Sequence, residues 1–177
     1  VMTRTPMGAS IVQGMGFPFS QDQQDRYADT GLPPQGIGAD MIADEYGITR
    51  EDLDAFEQEN ILEARKWIMQ KSVLAKLDIF TEKFILNLHK RMYGHVWKWA
   101  GTYRKTNKNI GVEAYLIPTE LHQLLGDARY WLEHNTYSIT DLAIIFHHRL
   151  VKIHLFPNGN GRHARLCADV ISIKYGG

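Results

Sequence analysis

Apolar side chains recur every three or four positions through five stretches of this 177-residue chain, and the rest of it follows no such register. TREDLDAFEQENILEARKWIMQ sets Ile61, Ala64 and Ile68 on one stripe, with Thr49 and Asp52 at the spacing of a capping pair. TEKFILNLHKRMYG aligns Ile85, Leu88 and Met92 and stops at Gly94. TELHQLLGDARYWLEHN carries the strongest stripe: Leu121, Leu124, Leu125, Ala128, Trp131 and Leu132. SITDLAIIFHHRLVKI opens on Ser138 and Asp141 at capping spacing and then offers Leu142, Ile145 and Phe146 to a core. A last helix is expected over GRHARLCADVISIKYG, where Cys167 shares a core stripe with Val170 and Ile171.

Two segments break the pattern. The first 47 residues hold seven of the 15 glycines and four of the six prolines, too much punctuation for a long regular element. They predict an irregular arm over 1–48, not an independent domain, with one short helix in IGADMIADEYG closed by Gly47. Farther on, GTYRKTNKNIGVEAYLIP sets turn formers between short β-prone pieces and predicts a β-hairpin or irregular flap. The fold class that follows is mainly α, a helical domain over 49–177 with a small hairpin flap.

Charge narrows the partners. Lys+Arg and Asp+Glu both total 20, so nothing global favours nucleic acid or an anionic membrane. No apolar run approaches the ~20 residues of a membrane span. One cysteine makes no internal disulfide, and the first residues lack the apolar core of a signal peptide, so a soluble cytoplasmic protein is expected.

The chemistry gathers in HLFPNGNGRHAR, residues 154–165. This run lies between two helical patterns, so it reads as a loop feeding a helix from Arg162. Unpaired N–H groups and the dipole at such a junction favour an anion. Gly159 and Gly161 allow positive φ and close approach, and Asn160 offers an amide. Arg162 and Arg165, one turn apart, present forks that suit phosphate oxygens. His154 at the loop entrance has the titration range of a general base, and Phe156 would anchor the loop. The parts point to transfer of a phosphate-bearing group onto a hydroxyl. The competing reading is an ordinary Gly-Asn-Gly turn followed by solvated arginines. His147, His148, His154 and His163 do not make a zinc set, because neighbours on a helix diverge and no further ligands complete it. Trp97 and Trp99 read as core and rim.

HLFPNGNGRHAR resembles the Fic signature HxFx(D/E)GNGRxxR at every fixed position but one. The likeness runs upstream through LHKRMYGHVWKWAGTYRKTNKNIGV and AFEQENILEARKW, over roughly residues 50–175. The nearest subgroup is the "mobile mystery protein B" type, associated with mobile elements and akin to toxin–antitoxin systems. The resemblance implies a Fic-type helical bundle and transfer of AMP from ATP, with Mg²⁺, to a Tyr, Thr or Ser hydroxyl of an unidentified target protein. It makes His154 the base. It gives Gly159, Asn160, Gly161, Arg162 and Arg165 to the nucleotide, and the flap residues Lys108, Asn109, Ile110, Gly111 and Val112 to the target. Asn158 departs from the pattern, standing where the family's Asp or Glu meets the metal. It implies a partial inhibitory motif at Glu59 and Asn60, with Glu59 set against Arg165 and Ala55 in place of the motif's Ser or Thr.

Two alternatives stay open: a catalytically silent nucleotide-binding or interaction module, and Doc-like phosphoryl transfer. The N-terminal arm itself resembles an internal thiolase segment but lacks the catalytic residues of one. IKYGG ends soon after the motif helix, so a domain truncated at its C-terminus is expected.

Overall fold

The computed structural model describes residues 50–176 and builds them almost wholly from helices. These are α1 (Arg50–Ile68), α2 (Lys71–Lys76), α3 (Glu82–Tyr93), a 3₁₀ turn (Ala114–Leu116), α4 (Ile117–Glu133), α5 (Ile139–Ile153) and α6 (Asn160–Tyr175). The expected arm over 1–48, the helix closed by Gly47, the thiolase-like stretch and Thr49 lie outside the described residues. From Asp54 to Gly177 the chain forms one unit. Among the described residues no helix is long and apolar enough to cross a membrane.

The stripes become the core. α5 packs chiefly against α6 and α4. Their shared interior holds Leu121, Leu124, Ala128, Leu142, Phe146, Leu150, Val170 and Ile171, all essentially without solvent contact. Burying side chains of this size contributes roughly 1.5–3 kcal/mol each, which is why period outweighs local propensity here. Ile145, expected inside, is only half-buried; Ala143 and Leu150 fill the face it was given. Cys167 is buried, and burial pushes its thiol up, away from a reactive thiolate.

Helix ends follow their local chemistry. The Thr81 hydroxyl accepts the Phe84 N–H, and the Ser138 hydroxyl accepts the Asp141 N–H while donating to the Asp141 carboxylate. α6 starts at Asn160, two residues before the expected Arg162, because the loop's own side chain forms its first turn.

The flap is not a hairpin. No strand occurs among the described residues, and 101–113 is a run of turns and bends. The backbone groups that a cross-strand ladder would pair are taken by side chains. Arg104 donates to the carbonyls of Thr106 and Val112, and the Asn107 amide bridges Glu113 and the Ala114 N–H. β-prone composition needs a facing strand, and here side chains replace it.

Candidate active site

The motif loop is folded by its own asparagine. Asn160 is 5% exposed; its Oδ1 accepts the Phe156 N–H at 2.9 Å and its Nδ2 donates to the Phe156 carbonyl at 2.8 Å. The Asn160 oxygen and one of its two amide N–H groups therefore go to loop shape. What remains for an anion is the first turn of α6, whose N–H groups have no intrahelical acceptor.

The two glycines have different duties. Gly159 sits at φ +78°, and a Cβ there would lie 2.6–2.7 Å from the Tyr93 ring and hydroxyl. Gly161 is helical, and a Cβ there would meet nothing within 4 Å. Only Gly159 has the positive φ expected of both. Gly161 leaves open space over the N-terminus.

Phe156 is fully buried and stacks on His89 with ring centroids 3.6 Å apart; His163 meets it edge-on at 5.2 Å. His89 ties the loop to the start of the flap. Its Nδ1 accepts the Gly101 N–H at 3.0 Å, which leaves Nε2–H to donate to the Asn158 carbonyl at 3.1 Å. Burial holds the His89 imidazole down at about 4, so it stays neutral in this role.

His154 caps α5 in the left-handed region, φ 57° and ψ 62°. The turn swings the half-buried imidazole out of the helix at the mouth of the loop. Burial first, then the charges of Arg104 and Lys108, hold its pKa below the ordinary value. No hydrogen bond occupies its ring nitrogens among the described residues. A neutral imidazole beside an anion-binding helix end is equipped to take a proton.

Arg162 lies 5.2 Å over the Tyr93 ring and donates to Glu57 at 2.8 Å. Glu57, on α1, is 5% exposed, and its other oxygen accepts the Trp97 indole N–H at 2.5 Å. Glu59, the residue expected here, is exposed and makes no ion pair with Arg165. Residues two apart on a helix point about 200° apart, so Glu57 and Glu59 cannot share a face. Asn60 does turn inward, but its amide donates to the Phe56 carbonyl and its oxygen accepts the His95 N–H. Arg165 is exposed one turn beyond Arg162, without a carboxylate partner among the described residues.

Asn158 tests the metal. Its Oδ1 accepts the Gly159 N–H at 2.7 Å, so the only side-chain oxygen at this position faces the loop backbone. Among the described residues no group of three or more His, Cys, Asp or Glu is placed to hold a metal. The donor set does not make a Mg²⁺ site by itself.

In the flap, Lys108, Asn109, Ile110 and Gly111 are exposed and Val112 is half-buried. Val112 N–H reaches the Ile153 carbonyl at 3.3 Å, and at Gly111, φ +88°, a Cβ would lie 2.5 Å from the His154 Cβ. The flap therefore rests on His154 itself. Arg104, Glu57, His89 and Trp97 were missed from sequence. Only Glu57 left a signal: counting back from Ile68 and Ala64 in helical steps reaches a carboxylate on an otherwise apolar stripe.

Comparison with known proteins agrees with this arrangement. The family model described as Fic/DOC family matches residues 79–172, more than half of the chain. Protein adenylyltransferase Fic of Drosophila grimshawi is 35% identical over 117 residues, covering 64% of this chain and 24% of that protein. The protein of the same name from Nematostella vectensis is 30% identical over 118 residues, covering 64% and 27%. The chain thus spans about a quarter of the length of these curated relatives. The solved structure of Fic-1 from C. elegans superposes with a TM-score of 0.55 at 24% identity, covering 93% of this chain and 46% of that one. That likeness is one of fold.

Proposed function

The chain belongs to the Fic/DOC family, and from that premise we propose that it transfers AMP from ATP to a Tyr, Thr or Ser hydroxyl of a target protein. The observation that carries the reading is the seating of a neutral His154, its ring without a hydrogen bond among the described residues, at the mouth of the loop that opens α6. The triphosphate lies over the first-turn N–H groups and the open space at Gly161, within reach of the Arg162 and Arg165 forks. His154 takes the proton of the target hydroxyl. The hydroxyl oxygen bonds to the α-phosphorus, the bond from that phosphorus to the bridging oxygen breaks, and pyrophosphate leaves. Lys108, Asn109, Ile110, Gly111 and Val112 present the target segment. Mg²⁺ would supply charge neutralisation for the phosphates, and Asn158 is the residue that stands at the family's metal position, with its side-chain oxygen turned to the Gly159 N–H. The intact Gly159-Asn160-Gly161 turn favours AMP transfer over Doc-like phosphoryl transfer.

Glu57 is the brake in this reading, in place of Glu59. Its carboxylate occupies an Arg162 donor that a phosphate needs, and two anions cannot share one fork at full strength. The Asn158 side chain, turned to the Gly159 N–H, supports the second reading, a nucleotide-binding module with weak catalysis.

His154→Ala separates the two. It is expected to cut transfer by ~10²-fold or more while ATP affinity, measured by calorimetry, stays near wild type. Equal transfer by the mutant removes His154 from the chemistry.

A further inference from the structure

Arg104 is 3% exposed and makes no ion pair among the described residues. All of its hydrogen bonds among the described residues go to main-chain carbonyls. Nε donates to the His154 carbonyl at 2.6 Å, Nη1 to Thr106 at 2.9 Å, and Nη2 to Val112. Its own N–H donates to the Leu155 carbonyl at 2.9 Å. The two peptide carbonyls that follow the His154 and Leu155 α-carbons are thus both held from one residue. Three charge-assisted hydrogen bonds offset part of the cost of burying this guanidinium, but no carboxylate touches it among the described residues, so stability alone gives little reason for a cation here.

The geometry does give one. His154 is a non-glycine residue in the left-handed region, a conformation that costs on the order of 1 kcal/mol and persists only where the surroundings hold it. Arg104 holds it from the carbonyl side. The same fork closes the 106–112 loop, which places Gly111 against the His154 Cβ. We propose that Arg104 is the positioning residue of the base: its fork sets His154 and the flap in one frame. After burial, its charge is the next cause that holds the imidazole's pKa below the ordinary value. The proposal rests on the reading of His154 as the base. The charged groups facing His154 are Arg104 and Lys108, both from the flap side, and Glu113 faces Arg104 in turn. Arg104 is the only one of the two cations held in place by carbonyls on both sides of the site.

Two variants separate fork from charge. Arg104→Lys keeps the charge and loses the fork; Arg104→Gln keeps a donor and loses the charge. The His154 ring is followed by ¹⁵N–¹H correlation spectra against pH, a readout that needs no AMP transfer. Arg104→Gln is expected to raise the His154 midpoint, and Arg104→Lys to leave it near wild type. In both variants the Val112 amide is expected to exchange with solvent at least several-fold faster. Wild type supplies a measurement that survives any folding failure of the variants: the Arg104 Nε–H should give a signal protected from exchange at neutral pH. A freely exchanging Nε–H, or a His154 midpoint unmoved by Arg104→Gln, overturns the proposal. Absence of AMP transfer by wild type sinks the base reading and leaves the titration free to report on Arg104.

Discussion

Gly159 and Gly161 look alike in the sequence and differ in what their missing side chains protect. At Gly159 a methyl group meets the buried Tyr93 ring, and the backbone is left-handed. Gly159→Ala is expected to destabilise the fold by about 2 kcal/mol or more, since clash and φ strain act together. At Gly161 a methyl group enters open space on an ordinary helical backbone. Gly161→Ala is expected to leave the melting temperature at or above wild type and to weaken ATP binding, because the methyl would sit where the proposed reading brings the phosphates. Thermal melts with ATP titrations check both, and a stable Gly159→Ala or an ATP-neutral Gly161→Ala breaks the assignment. The motif loop was legible as a catalytic stretch because its residue types act in series. The division of labour inside it was not. Whether Asn160 faces a phosphate or its own Phe156 backbone depends on a four-residue closure that no spacing rule encodes.

Elements repeat the lesson at larger reach. The amphipathic helices were legible because burial imposes a period on the side chains it takes. The flap was read as a hairpin or an irregular segment, and the irregular form is the one found. Its ladder was not formed, because Arg104 and Asn107 reach backbone groups that only the folded chain brings near. The same holds for α1. Its apolar stripe was visible, but the partner of Glu57 is Arg162, 105 positions along the chain. This pair makes a prediction at the element scale. Glu57→Gln removes the charge that competes for Arg162 while keeping a group for the Trp97 N–H, and is expected to raise the rate of transfer or self-modification several-fold. Glu59→Gln, on the exposed face, is expected to change nothing. Rates measured with labelled ATP decide it: activation by Glu59→Gln with Glu57→Gln silent reverses the assignment.

At the scale of the molecule, two imidazoles are built into the interior beneath the site. His163 is 1% exposed, its Nε2 donates to the Ile85 carbonyl at 3.0 Å, and burial holds its pKa down at about 3. His89 lies 5.4 Å from it, ring to ring. Folded His163 stays neutral while the unfolded chain binds a proton below its ordinary pKa near 6.5. The unfolded state therefore gains protons first, and stability falls as pH drops from about 6.5 toward 3, with nothing from this group lost above that window. A decline of a few kcal/mol is expected between about pH 7 and pH 4.5, read as the urea midpoint. His163→Gln should flatten the slope, and an unchanged midpoint in wild type rules out neutral burial. This sensitivity was hidden in the sequence, where His163 is one histidine of eight.

The central claim is that the loop and His154 together move the α-phosphate of ATP onto protein. Parallel incubations with ATP labelled at the α- or the γ-phosphorus test it most directly, with the protein itself and a mixture of cellular proteins as acceptors and His154→Ala alongside. The account predicts label on protein from α-labelled ATP only, stronger with Glu57→Gln and absent with His154→Ala. Label from the γ-position, or α-label undiminished in His154→Ala, contradicts it.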